Sequence, residues 1–344
     1  MAHIQPVVDE LRYMVQMNPW IARKLRAAIH EAGLSSVQTL DDYYAFLDEL
    51  IQLIPVRDDY PKMANRYYWI LDQESAQTLR EQSAWFRNWM VDFARAWGEF
   101  LDTPESAKHI ESFERDPNFH IEQYQVAPSG WRTFNQFFAR HLRPGERPIH
   151  WPLDDSRITS PADFEYKESS QIDPDSTITV KGVTHNVNKL VADSTYKDAF
   201  AGGFFLHGFL DVNDYHRYHV PVGGTVAEKK HVEGRVQLQM RKGDDGEIHA
   251  VDGTGWQFSQ MRGLCVLDNG VLGKVAVIPV GMAFVSSVNI TPDENAYLRK
   301  GDEFGYFLFG ASDIILLFQR DIPLSVAVEP GQKLRMGEVL LTAG

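Results

Sequence analysis

A change of hydrophobic period along the chain limits its fold more than any other feature. Up to about residue 127 the apolar residues recur at helical spacing; from Ile158 onward they come in short β-branched or apolar runs separated by Gly and Asp. One element cannot serve a period of 3.6 and a period of 2, so the chain divides. The reading is an α+β protein with a helical N-terminal region over 1–127. A β-rich, sandwich- or barrel-like domain follows over 128–344.

In the first region Val8, Leu11 and Val15 share a face, Asn18-Pro19 interrupts, and Ile21, Leu25, Ala28 and Ile29 resume until Gly33. A second helix is predicted from about Asp41 to Ile54, before Pro55, and a third from Thr78 to Leu101. On the third, Phe86, Trp89, Met90, Phe93, Trp97 and Leu101 form a stripe that reads as core rather than as a ligand platform. Pro128-Ser129-Gly130 marks the boundary, and Thr133-Phe134-Asn135-Gln136 reads as a capping box opening a short helix to about Leu142. The basic run Arg140, Arg143, Arg147 at its end fits a helix dipole or a local acidic group better than a substrate.

Strands are predicted at Thr177–Val180, Val275–Ile278 and Ala283–Val285. The glycine-bearing turns Lys300–Gly305 and Pro330–Gly337 resemble each other, as expected of short strands in a compact sandwich or barrel. At 344 residues and 44% hydrophobic the chain can build two cores. It has no apolar run approaching the roughly 18 residues of a membrane span. No charged and apolar leader opens it, so a cytoplasmic location without a stable membrane anchor is the expectation. The single cysteine, Cys265, excludes an internal disulfide and reads as a buried, inert thiol. A net charge of −13 disfavours nucleic acid and anionic lipid surfaces as partners. A homodimer is compatible with these features.

Two stretches carry chemistry. Phe309-Gly310-Ala311-Ser312 places a serine behind a small residue at the mouth of the apolar run Ile314–Phe318. About ninety residues upstream, Asp214-Tyr215-His216-Arg217-Tyr218-His219 sits between strand-like flanks. In a regular strand His216 and His219 would face opposite ways, whereas a turn or bulge would let them converge. Catalysis fits such a pair. So do a hydrolytic metal site shared with Asp214 or Asp163, and simple capping of backbone groups at a sheet end. Together the stretches resemble a serine that cuts its own chain with histidine as general base.

The segments 133–149, Ser160-Pro161-Ala162-Asp163, Lys181-Gly182-Val183, 214–219 and 307–312 resemble the phosphatidylserine decarboxylase family in order and spacing. The resemblance implies a proenzyme whose serine attacks the preceding carbonyl. The resulting ester eliminates to split the chain and leaves a covalent pyruvoyl group as the decarboxylation cofactor, with no metal. Carried onto this sequence, the nucleophile and pyruvoyl precursor is Ser312, and the cut falls between Ala311 and Ser312. His219 matches the family's base, Asp163 its orienting carboxylate, and His216 the histidine of the decarboxylation step. Ala311 stands where the family usually has glycine, and Phe164 where glycine commonly follows the aspartate. The first departure allows a reading as a processing-deficient, non-catalytic homologue. The layout of aromatic-rich N-terminal helices also resembles the family's soluble tryptophan decarboxylase branch. The expected substrate is therefore a small, soluble L-amino acid, an aromatic one first, with phosphatidylserine as the alternative.

Overall fold

The computed structural model describes residues 5–57, 59–180, 183–234, 238–251, 256–281, 287–308 and 312–344. The predicted strand Ala283–Val285, Lys181-Gly182 and the tripeptide Phe309–Ala311 lie outside them. Two compact units emerge: Met1–Asp116 with Ser129–Phe137 and Arg235–Gly253, and Pro117–Pro128 with Phe138–Gly234 and Thr254–Gly344. The chain crosses between units several times, unlike a single boundary after residue 127. Residues 117–128 belong with the β-rich unit, and 235–253 with the helical one.

The first unit holds α1 (Pro6–Met17), α2 (Pro19–Ala32), α3 (Leu40–Ile51), α4 (Tyr60–Leu71), α5 (Glu74–Gln82), α6 (Ala84–Leu101), α7 (Glu111–Glu114) and most of α8 (Phe134–Phe138). Asn18 caps α2, its Oδ1 accepting from Trp20 N and Ile21 N, and Gly33 ends that helix in the left-handed region at φ 60°. The predicted helix Thr78–Leu101 is two helices. Ser83 adopts an extended conformation, and its hydroxyl accepts from Phe86 N to start α6 afresh. Helix α4 was not anticipated. The aromatic stripe of α6 is buried, with the Phe93 ring 5.0 Å from that of Tyr67 and 5.5 Å from that of Trp89. In the predicted capping box Gln136 N donates to Thr133 Oγ1, but Gln136 Oε1 accepts from Arg132 N, one residue earlier than expected. The helix it opens stops at Phe138, short of Leu142.

The strands, in chain order, are β1 (Arg157–Thr159), β2 (Phe164–Gln171), β3 (Thr177–Val180), β4 (Val183–Asn186), β5 (Phe204–Leu210), β6 (Arg217–His219), β7 (Gly224–Val232), β8 (Met240–Lys242), β9 (Ile248–Ala250), β10 (Arg262–Asn269), β11 (Gly273–Gly281), β12 (Val288–Ile290), β13 (Tyr297–Leu298), β14 (Glu303–Phe307), β15 (Ser312–Phe318), β16 (Leu324–Val326), β17 (Lys333–Leu334) and β18 (Val339–Ala343). The hairpin β8–β9 belongs to the first unit. In the second unit an eight-stranded antiparallel sheet has the order β13-β7-β10-β11-β15-β5-β2-β17, beside three-stranded sheets β12-β14-β6 and β1-β18-β16.

Every residue of β15 is buried, because the strand lies inside the large sheet with both faces covered. On one face Ile315 and Leu317 pack with Leu264, Val266, Ala276, Ile278 and Phe205 in the main apolar cluster. Alternation along the strand sends Ser312, Ile314 and Leu316 to the other face.

Candidate active site

Strand register sets the candidate site. At the start of β15, Ser312 pairs with Gly281 of β11 on one side and Leu210 of β5 on the other. Just upstream, Phe307 N, at the end of β14, donates to the His216 carbonyl at 2.9 Å. Phe307 is therefore tied to His216 and Ser312 to Leu210, the two ends of the histidine-bearing segment 210–216. The serine and the His216 segment, distant in sequence, are neighbours in the fold. The Ser312 side chain is fully buried, and its Oγ has no hydrogen-bond partner among the described residues. The cleavage partner Ala311 lies outside them.

His219, the last residue of β6, is held at both ring nitrogens. Its Nδ1 lies 2.8 Å from the Gly301 carbonyl, which can only accept, so Nδ1 carries the proton. Nε2 is then the acceptor of the Tyr215 hydroxyl at 3.0 Å. Burial lowers the His219 pKa, partly countered by the Gly301 carbonyl, Glu303 and Asp163, which fits the neutral ring. Gly301 sits at φ +85° in the turn before β14, in the left-handed region that favours glycine. The turn is anchored by its neighbour Lys300, whose buried ammonium donates to the carbonyls of Trp151, Asp154 and Arg157.

Asp163 reaches a different partner from the one implied by the family pattern. Arg147 grips it through Nε at 2.9 and 3.2 Å and Nη2 at 2.5 Å, and Met336 N donates to its Oδ1 at 2.8 Å. The Gly301 carbonyl, not Asp163, occupies His219 Nδ1. Asp163 stays close, since His219 N donates to the Pro161 carbonyl at 2.7 Å and the carboxylate acts electrostatically on the ring. The local acidic group expected for the basic run is thus Asp163, at Arg147. Arg140 instead donates to the carbonyls of Asn213 and Asp214 at the head of the histidine motif.

His216 is fully buried, and its ring lies 3.9 Å, centroid to centroid, from Phe138. Neither ring nitrogen makes a hydrogen bond among the described residues. Burial, reinforced by the Arg140 charge, pushes its pKa well below the usual histidine range. Among the described residues no three His, Cys, Asp or Glu side chains form a cluster able to hold a metal. Phe164, the second departure from the family pattern, pairs with Leu334 of β17. Its ring fills the space a Cβ would take at Gly208, within 2.4 Å of that position.

Sequence reasoning missed Tyr215, Gly301, Lys300 and Arg147 as site residues. Tyr215 lay inside the motif already singled out, and the Gly301 turn had been noticed only as a repeat. Residues 134–342 match the family model described as phosphatidylserine decarboxylase. A phosphatidylserine decarboxylase proenzyme of Clostridium perfringens is 30% identical over 67% of this chain and 75% of its own length. Proenzyme 2 of Oryza sativa is 31% identical over 65% of this chain, and proenzyme 3 of Schizosaccharomyces pombe 33% over 65%. This chain spans 35% of the length of the first of these and 23% of the second. The chain belongs to the phosphatidylserine decarboxylase family.

Proposed function

We propose that this protein is a proenzyme that cuts its own chain before Ser312 and then works as a pyruvoyl-dependent carboxy-lyase. The observation that carries the reading is the tie of Phe307 to His216 and of Ser312 to Leu210, with a Ser312 hydroxyl that has no hydrogen-bond partner among the described residues. A buried serine hydroxyl without a partner among the described residues fits the origin of a pyruvoyl group, because its surroundings keep bulk water from the hydroxyl. The pyruvoyl group, once formed, supplies the electron sink for decarboxylation.

The chain's own residues have separable tasks. Ser312 Oγ is the nucleophile toward the carbonyl before it, and His219 Nε2 takes its proton once the Tyr215 hydroxyl yields that position. The Gly301 carbonyl fixes the tautomer that makes Nε2 the acceptor, the task a carboxylate performs in a serine hydrolase triad. Arg147 and Asp163 hold the chain beside His219. His216, uncharged in its apolar setting, moves a proton where carbon dioxide leaves.

Phosphatidylserine is the substrate that the relatives' names favour. The net charge of −13, together with an aromatic-rich helical unit mostly upstream of the family match, supports a second reading, a soluble aromatic L-amino acid. The test is carbon dioxide release by purified, cut protein from phosphatidylserine vesicles and, separately, from tryptophan. Release from the vesicles alone supports the first substrate, and release from tryptophan alone the second. A chain that stays whole and carries no reactive carbonyl would overturn the lyase reading.

A further inference from the structure

Asp313, the residue after the nucleophile, carries a fully buried carboxylate inside the large sheet. Its Oδ2 lies 2.6 Å from Nε2 of His207 on the adjacent strand β5. The other imidazole nitrogen, Nδ1, lies 3.7 Å from Glu168 Oε1 on β2. Register explains the meeting: Ile315 pairs with His207 and His207 with Glu168, so all three share a sheet face, and alternation puts Asp313 there too. That face also carries the apolar cluster of Ile315, Leu317 and Phe205. Ionic groups there cost desolvation that apolar side chains would avoid, so their presence asks for a role beyond packing.

We infer that His207 is a positioning residue for the reaction at Ser312, gripping the Asp313 carboxylate across the sheet and through it the first peptide of β15. The inference rests on the proposed cut before Ser312. An interior strand whose chain is severed at its first residue acquires a free end, and free ends fray. The His207–Asp313 contact anchors that end one residue from the reacting group by a side chain, independently of the backbone ladder. The charged groups facing His207 are Asp313 from β15 and Glu168 from β2; His185 of β4 in turn faces Glu168. Burial alone would lower the His207 pKa, but the two carboxylates outweigh it and hold it at about 9. The ring is therefore an imidazolium at neutral pH. With a raised folded pKa, the stability that the contact contributes is fully present below about 6.5 and is lost as pH rises through about 9, where the ring loses its proton.

The test uses the full chain and the variants His207→Gln, Asp313→Asn and their combination. Intact mass and carbonyl labelling score the cut, and turnover of the cut protein is followed across pH. His207→Gln should still be cut, with kcat down roughly tenfold, KM little changed, and no alkaline fall near pH 9 beyond the part, common to both proteins, that comes from the substrate amine. The double variant should be no worse than the poorer single one. A cut His207→Gln protein with the parent's kcat and pH profile would overturn the inference. NMR of histidine-labelled parent protein keeps the test open if the variants do not fold. His207 should titrate near pH 9 together with the amide of residue 313, and titration near 6.5 would overturn the proposal. An uncut parent with no carbonyl label would instead sink the Ser312 reading and leave the titration result standing.

Discussion

The His219 ring donates from Nδ1 to the Gly301 carbonyl across 2.8 Å, so a backbone oxygen sets the tautomer of the proposed base. Asp163, the side chain the family pattern places in that role, is taken by Arg147. The carboxylate's part is then to hold the chain near His219 and to tune the ring electrostatically.

That division makes Lys300 important at a distance from the chemistry. Its ammonium fixes the turn that presents Gly301 by donating to three carbonyls. Lys300→Met should slow self-cleavage by roughly tenfold or more, since a misplaced carbonyl lets the proton shift to Nε2. A time course of fragment appearance on denaturing gels checks it, and an unchanged rate would show that the turn holds without the ammonium.

Arg147→Met should destabilise the second unit by about 3–5 kcal/mol, because it leaves the Asp163 carboxylate buried without its cation. Adding Asp163→Asn should recover part of the loss. Denaturant unfolding of the two single variants and the double one measures the coupling.

Ser312→Ala should abolish both cutting and turnover, while His216→Ala should spare the cut and lose turnover. Intact mass and carbon dioxide release read the two events separately. A His216→Ala protein that remains whole would mean the two histidines do not divide the work as proposed.

His216 also predicts a pH effect on stability. Its folded pKa is depressed, so the ring is neutral when folded and takes up a proton on unfolding below about 6.5. The contribution is present above that pH and is lost as pH falls, at up to ~1.4 kcal/mol per pH unit. His216→Phe, which suits the neighbouring Phe138 ring, should flatten the acid side of the stability curve relative to the parent. Chemical denaturation at pH 5, 6 and 7 tests it. Equal pH slopes for the two proteins would contradict a neutral, buried His216.

What could be read from sequence was local. Asn18 and Gly33 announce the start and the end of α2 because capping is decided within a few residues. The break at Ser83 was hidden because the apolar period runs on through Leu79 and Phe86 across it. Helix α4 is legible in the spacing of Tyr60, Ala64, Tyr67, Tyr68 and Leu71, which lie beyond Pro55, the stop read for the preceding helix. At the site, the motif residues Ser312, His216, His219 and Asp163 could be named. Their partners could not, since a carbonyl such as that of Gly301 leaves no side-chain signature. The His207–Asp313 pair, 106 residues apart, depends on which strands become neighbours.

Strand β15 lies between β11 and β5, while β17 and β18 are paired with β2 and with β1. Severing the chain before Ser312 would therefore leave the small fragment woven into the large one by four separate ladders. The products would migrate as a single particle until a denaturant parts them, and separated halves would have to rebuild the middle of a sheet to recombine. Maturation of such a molecule is in practice a one-way event.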